Sequence, residues 1–192
     1  MSPYRTTVGL SWAVFLIYWI ASSFGIKRDL RRRSRWRAAL IRIAVIFFLV
    51  AWLSNRSNAQ RLHAYLWPLA AFSSPPAVRL LGALICVFGI ALAIWARAHL
   101  GRNWSSVPAV KEGHELVTSG PYRRIRHPIY AGLLAAALGS ALVIIWWVIT
   151  CLIMAIMFPW RIHVEEKLMT QQFPTQYPEY KKRSWALIPY LW

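Results

Sequence analysis

Thirty consecutive residues, Ile129 to Phe158, carry no charged side chain. As one straight helix they would run about 45 Å, against a hydrocarbon core of roughly 30 Å. Gly139-Ser140 sits inside the run and offers a break. The expectation is a helical hairpin: one arm to about Leu138, a tight turn, and a second arm from about Leu142. The first arm is short and should begin before Ile129. A single long, tilted helix is the alternative.

Three more apolar stretches precede this run. Val8 to Ile26 is free of charge. Ala38 to Ser54 has one Arg, at position 42. Ala77 to about His99 keeps Arg79 and Arg97 near its ends. Leu62 to Phe72 is too short to span, and Pro68 interrupts it, so an interfacial segment is expected. Val8 to Ile26 has one Arg ahead of it, is long for a signal-peptide core and lacks a clear cleavage site. It is read as a membrane helix. The chain is 58% hydrophobic, against about 45–50% for soluble domains, which excludes a disordered chain. At 192 residues it forms one structural unit. The fold class is all-α integral membrane with five transmembrane helices, the last two a hairpin. Residues 1–100 form a three-helix membrane region and residues 101–192 a second region. Cys86 and Cys151 lie in apolar runs and read as buried thiols.

The net charge is +17, from 23 Lys+Arg and 6 Asp+Glu. The linker Lys27 to Arg37 holds seven of the basic residues. With five alternating spans, 19 basic residues fall on one side; Arg5, Arg56, Arg61 and Arg79 fall on the other. All six acids join the basic side. The positive-inside rule then places the N-terminus outside and the C-terminus in the cytoplasm; the short length suggests a prokaryotic source, so a prokaryotic cell membrane is expected. The Arg-rich linker reads as a topology signal in contact with anionic lipid. Without a recognition motif, no nucleic-acid role is assigned. Trp36, Trp52, Trp67, Trp104 and Trp160 near span ends read as an aromatic belt. Ala131, Ala135 and Gly139 form a small-x-x-x-small row suited to close helix approach.

Two cytoplasmic segments differ from the rest: Gly101 to Tyr130 and Arg161 to Trp192. Together they hold three of the five His and five of the six acids. Ionisable groups packed against a membrane core are a functional-site hypothesis. Arg161 and Glu165 are i,i+4 on an expected extension of the last helix and share a face. A surface salt pair of small energetic value is the plain alternative. If the pair points into the bundle, Glu165 can hold a cation and Arg161 a carboxylate or phosphate. Glu166 lies about 100° away and is the weaker candidate. His114-Glu115 begins like a zinc motif, but position 118 is Thr. No metal site is expected, nor a nucleotide-binding Gly-rich loop.

The segment HELVTSGPYRRIRHPIYAG, residues 114–132, is followed by R-x-x-x-E-E-x-L from Arg161 and Y-x-x-Y-K-K-R from Tyr177. Together they closely resemble the isoprenylcysteine carboxyl methyltransferase family, part of a wider group with the phospholipid N-methyltransferases. The likeness covers Gly101 to Pro189. It implies an integral-membrane enzyme using S-adenosyl-L-methionine and releasing S-adenosyl-L-homocysteine, with the cofactor pocket formed by the cytoplasmic loop and the C-terminal helix. Residues 101–192 would then be the catalytic region. By the same resemblance, cofactor contacts fall on His114, Glu115, Leu116, Val117, Tyr122, His127, Pro128, Ile129, Tyr130 and Glu165. The substrate-carboxylate arginine falls on Arg161, and Arg161 and Glu165 are the catalytic pair. A family cofactor position occupied by Gln in eukaryotic members is Val107 here, so backbone would serve at that point. The implied partners are membrane lipid and a lipophilic or lipidated substrate. Alternatives are an amine acceptor on a phospholipid, a nicotinamide-dependent membrane reductase, and a non-catalytic lipid-binding protein. The acceptor and the oligomeric state are not encoded in any motif found.

Overall fold

The structure, a computed structural model, describes residues 2–22, 74–101 and 116–190. Helix α1 is Pro3–Ala21, α2 is Pro76–Leu100, α3 is Pro128–Val143, α4 is Trp147–Gln172 and α5 is Gln176–Lys182; a 3-10 turn covers Gly120–Arg123. Among the described residues there is no β-strand, only an isolated parallel bridge between Ile125 and Trp185. The expected second span (38–54), the linker 27–37, the segment 62–72 and Trp36, Trp52, Trp67 and Trp104 lie outside the described residues.

Helices α1, α2 and α3 each carry Pro in the first turn, where its missing N–H is not needed and its fixed φ suits the helix. Helix α1 therefore starts at Pro3 rather than Val8. Its early polar residues do not break it, because Thr7 and Ser11 donate to the carbonyls of Pro3 and Thr7 at 3.0 and 2.8 Å. Among the described residues, α2 and α4 are the two helices long and apolar enough to cross a membrane, and α3 is a shorter apolar helix. Ile17, Phe88, Trp95, Leu152, Ile156 and Trp160 all point away from the bundle, Ile156 at 75% exposure. So broad an apolar surface suits lipid rather than water.

The hairpin forms, but its break is not at Gly139-Ser140. Both residues are inside α3, and the turn is 144–146, with Ile144 extended at φ −137, ψ 101. Gly139 serves close packing instead. A Cβ there would lie 2.5 Å from the Cys86 nitrogen and the Gly82 oxygen of α2. Ser140 Oγ donates to Ala136 O at 2.7 Å and accepts from Trp12 Nε1 at 3.0 Å, so it is satisfied within the bundle. The helix ends where three β-branched residues, Val143-Ile144-Ile145, follow one another.

The small-residue row is likewise displaced by one position. Ala131 and Ala135 are half-buried, whereas Gly132, Ala136, Gly139 and Ser140 are buried against α2. Antiparallel α2 answers with Gly82, Cys86, Gly89 and Ala93. A Cβ on Gly89 would meet Gly132 O and Ala136 N, each at 2.5 Å. The two backbones therefore touch, which replaces the hydrophobic driving force that lipid does not supply.

Helices α1 and α2 run parallel. Arg79 lies over the Tyr4 ring near their starts, with 5.9 Å from Cζ to the ring centroid. At their ends buried Arg97 donates to Gly101 O at 2.9 Å and to Ser22 O at 2.6 Å. Helix α3 begins at that same end and α4 returns to it. The chain after α5 docks there too: Trp185 N donates to Arg124 O, Arg126 N to Trp185 O and His127 N to Ala186 O, at 2.9, 2.8 and 3.0 Å. One end of the bundle thus gathers both polar segments.

Candidate active site

His127 caps the start of α3, and Tyr130 follows on its first turn. Helix α4 passes beside them. Pro159 lies within it, and beyond Trp160 its sequence turns from apolar to ionisable. Tyr130 OH donates to Glu165 Oε1 at 2.5 Å. Arg161 Nε donates to Tyr130 OH at 2.5 Å and to Glu165 Oε1 at 3.0 Å. The i,i+4 pair thus points into the bundle through Tyr130 and is no bare surface salt bridge. Arg161 nevertheless keeps 32% of its side chain exposed, enough to meet a ligand.

His127 stands between two carboxylates. Its Nδ1 is 3.5 Å from Glu165 Oε2 and its Nε2 is 3.6 Å from Glu166 Oε1, ion-pair rather than hydrogen-bond distances. The side chain is 10% exposed. Burial disfavours the charged imidazole, but Glu165 and Glu166 outweigh it and hold the His127 pKa above its ordinary value. The rings of His127 and Tyr130 are parallel, with centroids 5.7 Å apart, and Phe158 continues the column 4.8 Å from Tyr130. The Arg161 guanidinium lies 5.7 Å from the Tyr130 centroid.

Glu166 belongs to this cluster, contrary to the expectation that it faces elsewhere. It accepts from Arg126 Nε at 2.7 Å and from Lys181 Nζ at 2.6 Å. A 100° step separates Glu165 from Glu166 on the helix, but one imidazole has two nitrogens and reaches both. Arg126 also donates to Ser184 O, and Ser184 Oγ to Tyr180 O at 2.6 Å. Arg126, Tyr180 and Lys181 lie inside the motifs that carry the family resemblance, where no catalytic role falls on them, and Ser184 lies just beyond. The run R-H-P could have flagged Arg126, since a buried guanidinium needs a carboxylate.

The remaining expected residues divide. Pro128 and Ile129 are buried, and Ile129 packs with Ala96, Tyr122 and Val117. Tyr122 is not brought onto Glu165 by a hydrogen bond. Its hydroxyl donates to Ala96 O at 3.3 Å, and its carbonyl accepts from Tyr180 OH at 2.5 Å. Burial pushes the Tyr180 phenol up to about 12 and Tyr122 higher still, so both remain protonated donors. Leu116 is half-buried. His114, Glu115 and Val107 lie outside the described residues. Among the described residues, no group of three His, Cys, Asp or Glu is placed to hold a metal.

These features define an all-helical, membrane-type bundle with an ionisable cluster at one end. Residues 81–171 match the isoprenylcysteine carboxyl methyltransferase (ICMT) family model. It is 32% identical over 139 residues to the protein-S-isoprenylcysteine O-methyltransferase of Saccharomyces cerevisiae, covering 68% of this chain and 58% of the yeast protein. It is 30% identical over 162 residues to the cobalt-zinc-cadmium resistance protein CzcN of Cupriavidus metallidurans, covering 82% of this chain and 66% of that protein. The chain therefore spans somewhat under two thirds of these relatives. Its fold is shared with the eukaryotic intramembrane Ras methyltransferase ICMT, at a TM-score of 0.58 and 22% identity, over 100% of this chain and 69% of that one.

Proposed function

We propose that the protein is an integral-membrane methyltransferase that moves a methyl group from S-adenosyl-L-methionine to the carboxylate of an isoprenylcysteine-like amphiphile. The observation that carries this reading is the convergence of His127, Tyr130, Arg161 and Glu165 at the end of an apolar bundle. The donor set fits the cofactor. A sulfonium is attracted to an aromatic face and to a carboxylate, and Tyr130 and Glu165 offer both within one hydrogen bond. When bound, the cofactor supplies an electrophilic methyl group.

The chain's own residues do the rest. Tyr130 and Glu165 hold positive charge. Arg161, tied to both, orients the acceptor carboxylate through its guanidinium. A carboxylate is already a nucleophile at neutral pH, so no residue need act as general base. Rate enhancement then comes from alignment and from stripping water off the anion. The apolar flanks of α3 and α4 would take the substrate's tail from lipid, while the ionisable end faces the cytoplasm. His114 and Glu115 would add cofactor contacts from the preceding loop.

The test is transfer of a radiolabelled methyl group from S-adenosyl-L-methionine into a prenylcysteine analogue and into the organism's own lipid extract. Base-labile label in the prenylcysteine supports the reading. Label confined to lipid amines, or no transfer to either, refutes it.

A further inference from the structure

At the same end of the bundle the 3-10 turn and the chain after α5 border an open cleft of about 770 Å³, with its arginines exposed. None of its lining residues belongs to the Glu165 cluster. Three of them are arginines: Arg123 and Arg124 from the turn, and Arg183 from the C-terminal segment. Among the described residues none of the three is paired with a carboxylate, whereas Arg126 and Arg161 each are. The cleft is built, not accidental. Gly120, at φ +57, lies so close over His99 that a Cβ would come within 2.7 Å of the ring, which fixes where the turn sets Arg123 and Arg124. The hydrogen bond from Trp185 N to Arg124 O, at 2.9 Å, brings Arg183 alongside them. Trp185 and Tyr190 form one wall, with ring centroids 4.7 Å apart. Tyr190 is held at φ 68, a conformation rare for an aromatic residue, and stays 85% exposed.

We propose that this cleft binds a phosphate-bearing anion, either the headgroup of an acidic phospholipid or a soluble phosphate ester. Three guanidiniums with no carboxylate partner among the described residues match phosphate oxygens in pairs, and the volume lies within the usual range for a small-ligand site. The field is wrong for a sulfonium, so this is not a second donor site. The paired Trp and Tyr are the residues that sit at headgroup level in a bilayer.

The experiment uses the full chain in neutral detergent micelles containing fluorescent phosphatidic acid or, separately, fluorescent phosphatidylcholine. Variants are Arg124→Gln with Arg183→Gln, the same pair changed to Lys, and Arg5→Gln as a remote charge control. The basic linker 27–37 also attracts anions, so the reading is the difference between variants. Wild type should prefer phosphatidic acid, and the double Gln variant should lose about ten-fold in affinity. The Lys pair should recover part of it, and Arg5→Gln should change nothing. Competition by millimolar inorganic phosphate or glycerol 3-phosphate assigns a soluble ester; retained lipid binding under that competition assigns the headgroup. Equal affinity of wild type and the double Gln variant, or no preference over phosphatidylcholine, overturns the proposal. Intact methyl transfer in the double Gln variant separates this result from failure of the Glu165 cluster.

Discussion

Glu165 Oε2 and His127 Nδ1 stand 3.5 Å apart, although one belongs to α4 and the other to the start of α3. This approach joins residues of the two polar segments into one cluster. Glu165 has its other oxygen occupied by Tyr130 and Arg161. Glu165→Ala should therefore remove a charge and unfasten two partners. Affinity for S-adenosyl-L-methionine, whose sulfonium carries the charge, is expected to fall at least about 30-fold by calorimetry without acceptor, roughly 2 kcal/mol. Unchanged affinity would remove Glu165 from the cofactor site.

Arg161 is tied to the cluster but keeps 32% of its side chain exposed, and its loss should be felt differently. Arg161→Ala is expected to raise KM for an anionic amphiphile about ten-fold or more while S-adenosyl-L-homocysteine affinity changes less. Arg161→Lys should recover little, because a point charge does not reproduce a planar fork. Steady-state kinetics on a prenylcysteine analogue checks this. Retention of full activity by the Ala variant would rule out the carboxylate clamp.

The α2–α3 seam predicts a stability effect without any chemistry. Gly132 lies against Gly89 O and Ala93 N, and a Cβ would come within 2.6 and 2.8 Å of them. These are backbone atoms and cannot swing aside. Gly132→Ala should cost on the order of 2 kcal/mol, whereas Gly9→Ala, with nothing within 4 Å of its Cβ, should be neutral. Thermal unfolding in detergent distinguishes the two. Equal melting of both variants would mean that the α2 and α3 backbones do not touch at Gly132.

Much of this arrangement was legible in the residues. The charge-free run 129–158 is too long for one upright helix and leaves a hairpin or a tilted helix, and the Arg161–Glu165 spacing gives a shared face. What failed was local. Gly139-Ser140 reads as a break because glycine often interrupts helices, yet here the missing Cβ of Gly139 serves contact with Cys86 and Gly82. No spacing rule distinguishes those two uses; only the position of the partner helix does. Glu166 was set aside by helical geometry, which is blind to a ligand that can reach two faces at once. Lys181 and Ser184 are neighbours, but Arg126 stands 55 residues before Lys181, and no spacing rule joins the two stretches.

Those three residues form a clasp on the C-terminal segment. Arg126 and Lys181 both donate to Glu166, and Arg126 reaches Ser184. Glu166→Ala would leave the Arg126 side chain, 8% exposed, as a buried charge short of its partner. The expected cost is on the order of 3 kcal/mol, concentrated where residues 173–190 dock. Limited proteolysis should cut that segment faster in the variant. Equal cleavage would show that backbone contacts to Trp185 and Ala186 hold the segment unaided.

His127 gives the cluster a pH dependence with a defined sign. Its folded pKa is raised above the ordinary value near 6.5. Below about pH 6.5 the imidazolium is present in folded and unfolded chains alike, and its attraction to Glu165 and Glu166 contributes in full. As pH rises through the elevated folded value, the proton leaves and that contribution is lost. The two carboxylates then face each other, with Arg126, Arg161 and Lys181 as the remaining counter-charges. Stability of the wild type, followed by unfolding in detergent from pH 6 to pH 9, should therefore decline on the alkaline side. His127→Gln should be less stable at pH 6 and should lack that decline. If both proteins show the same slope, the proton is not held by His127, and the imidazole between the two glutamates is neutral throughout.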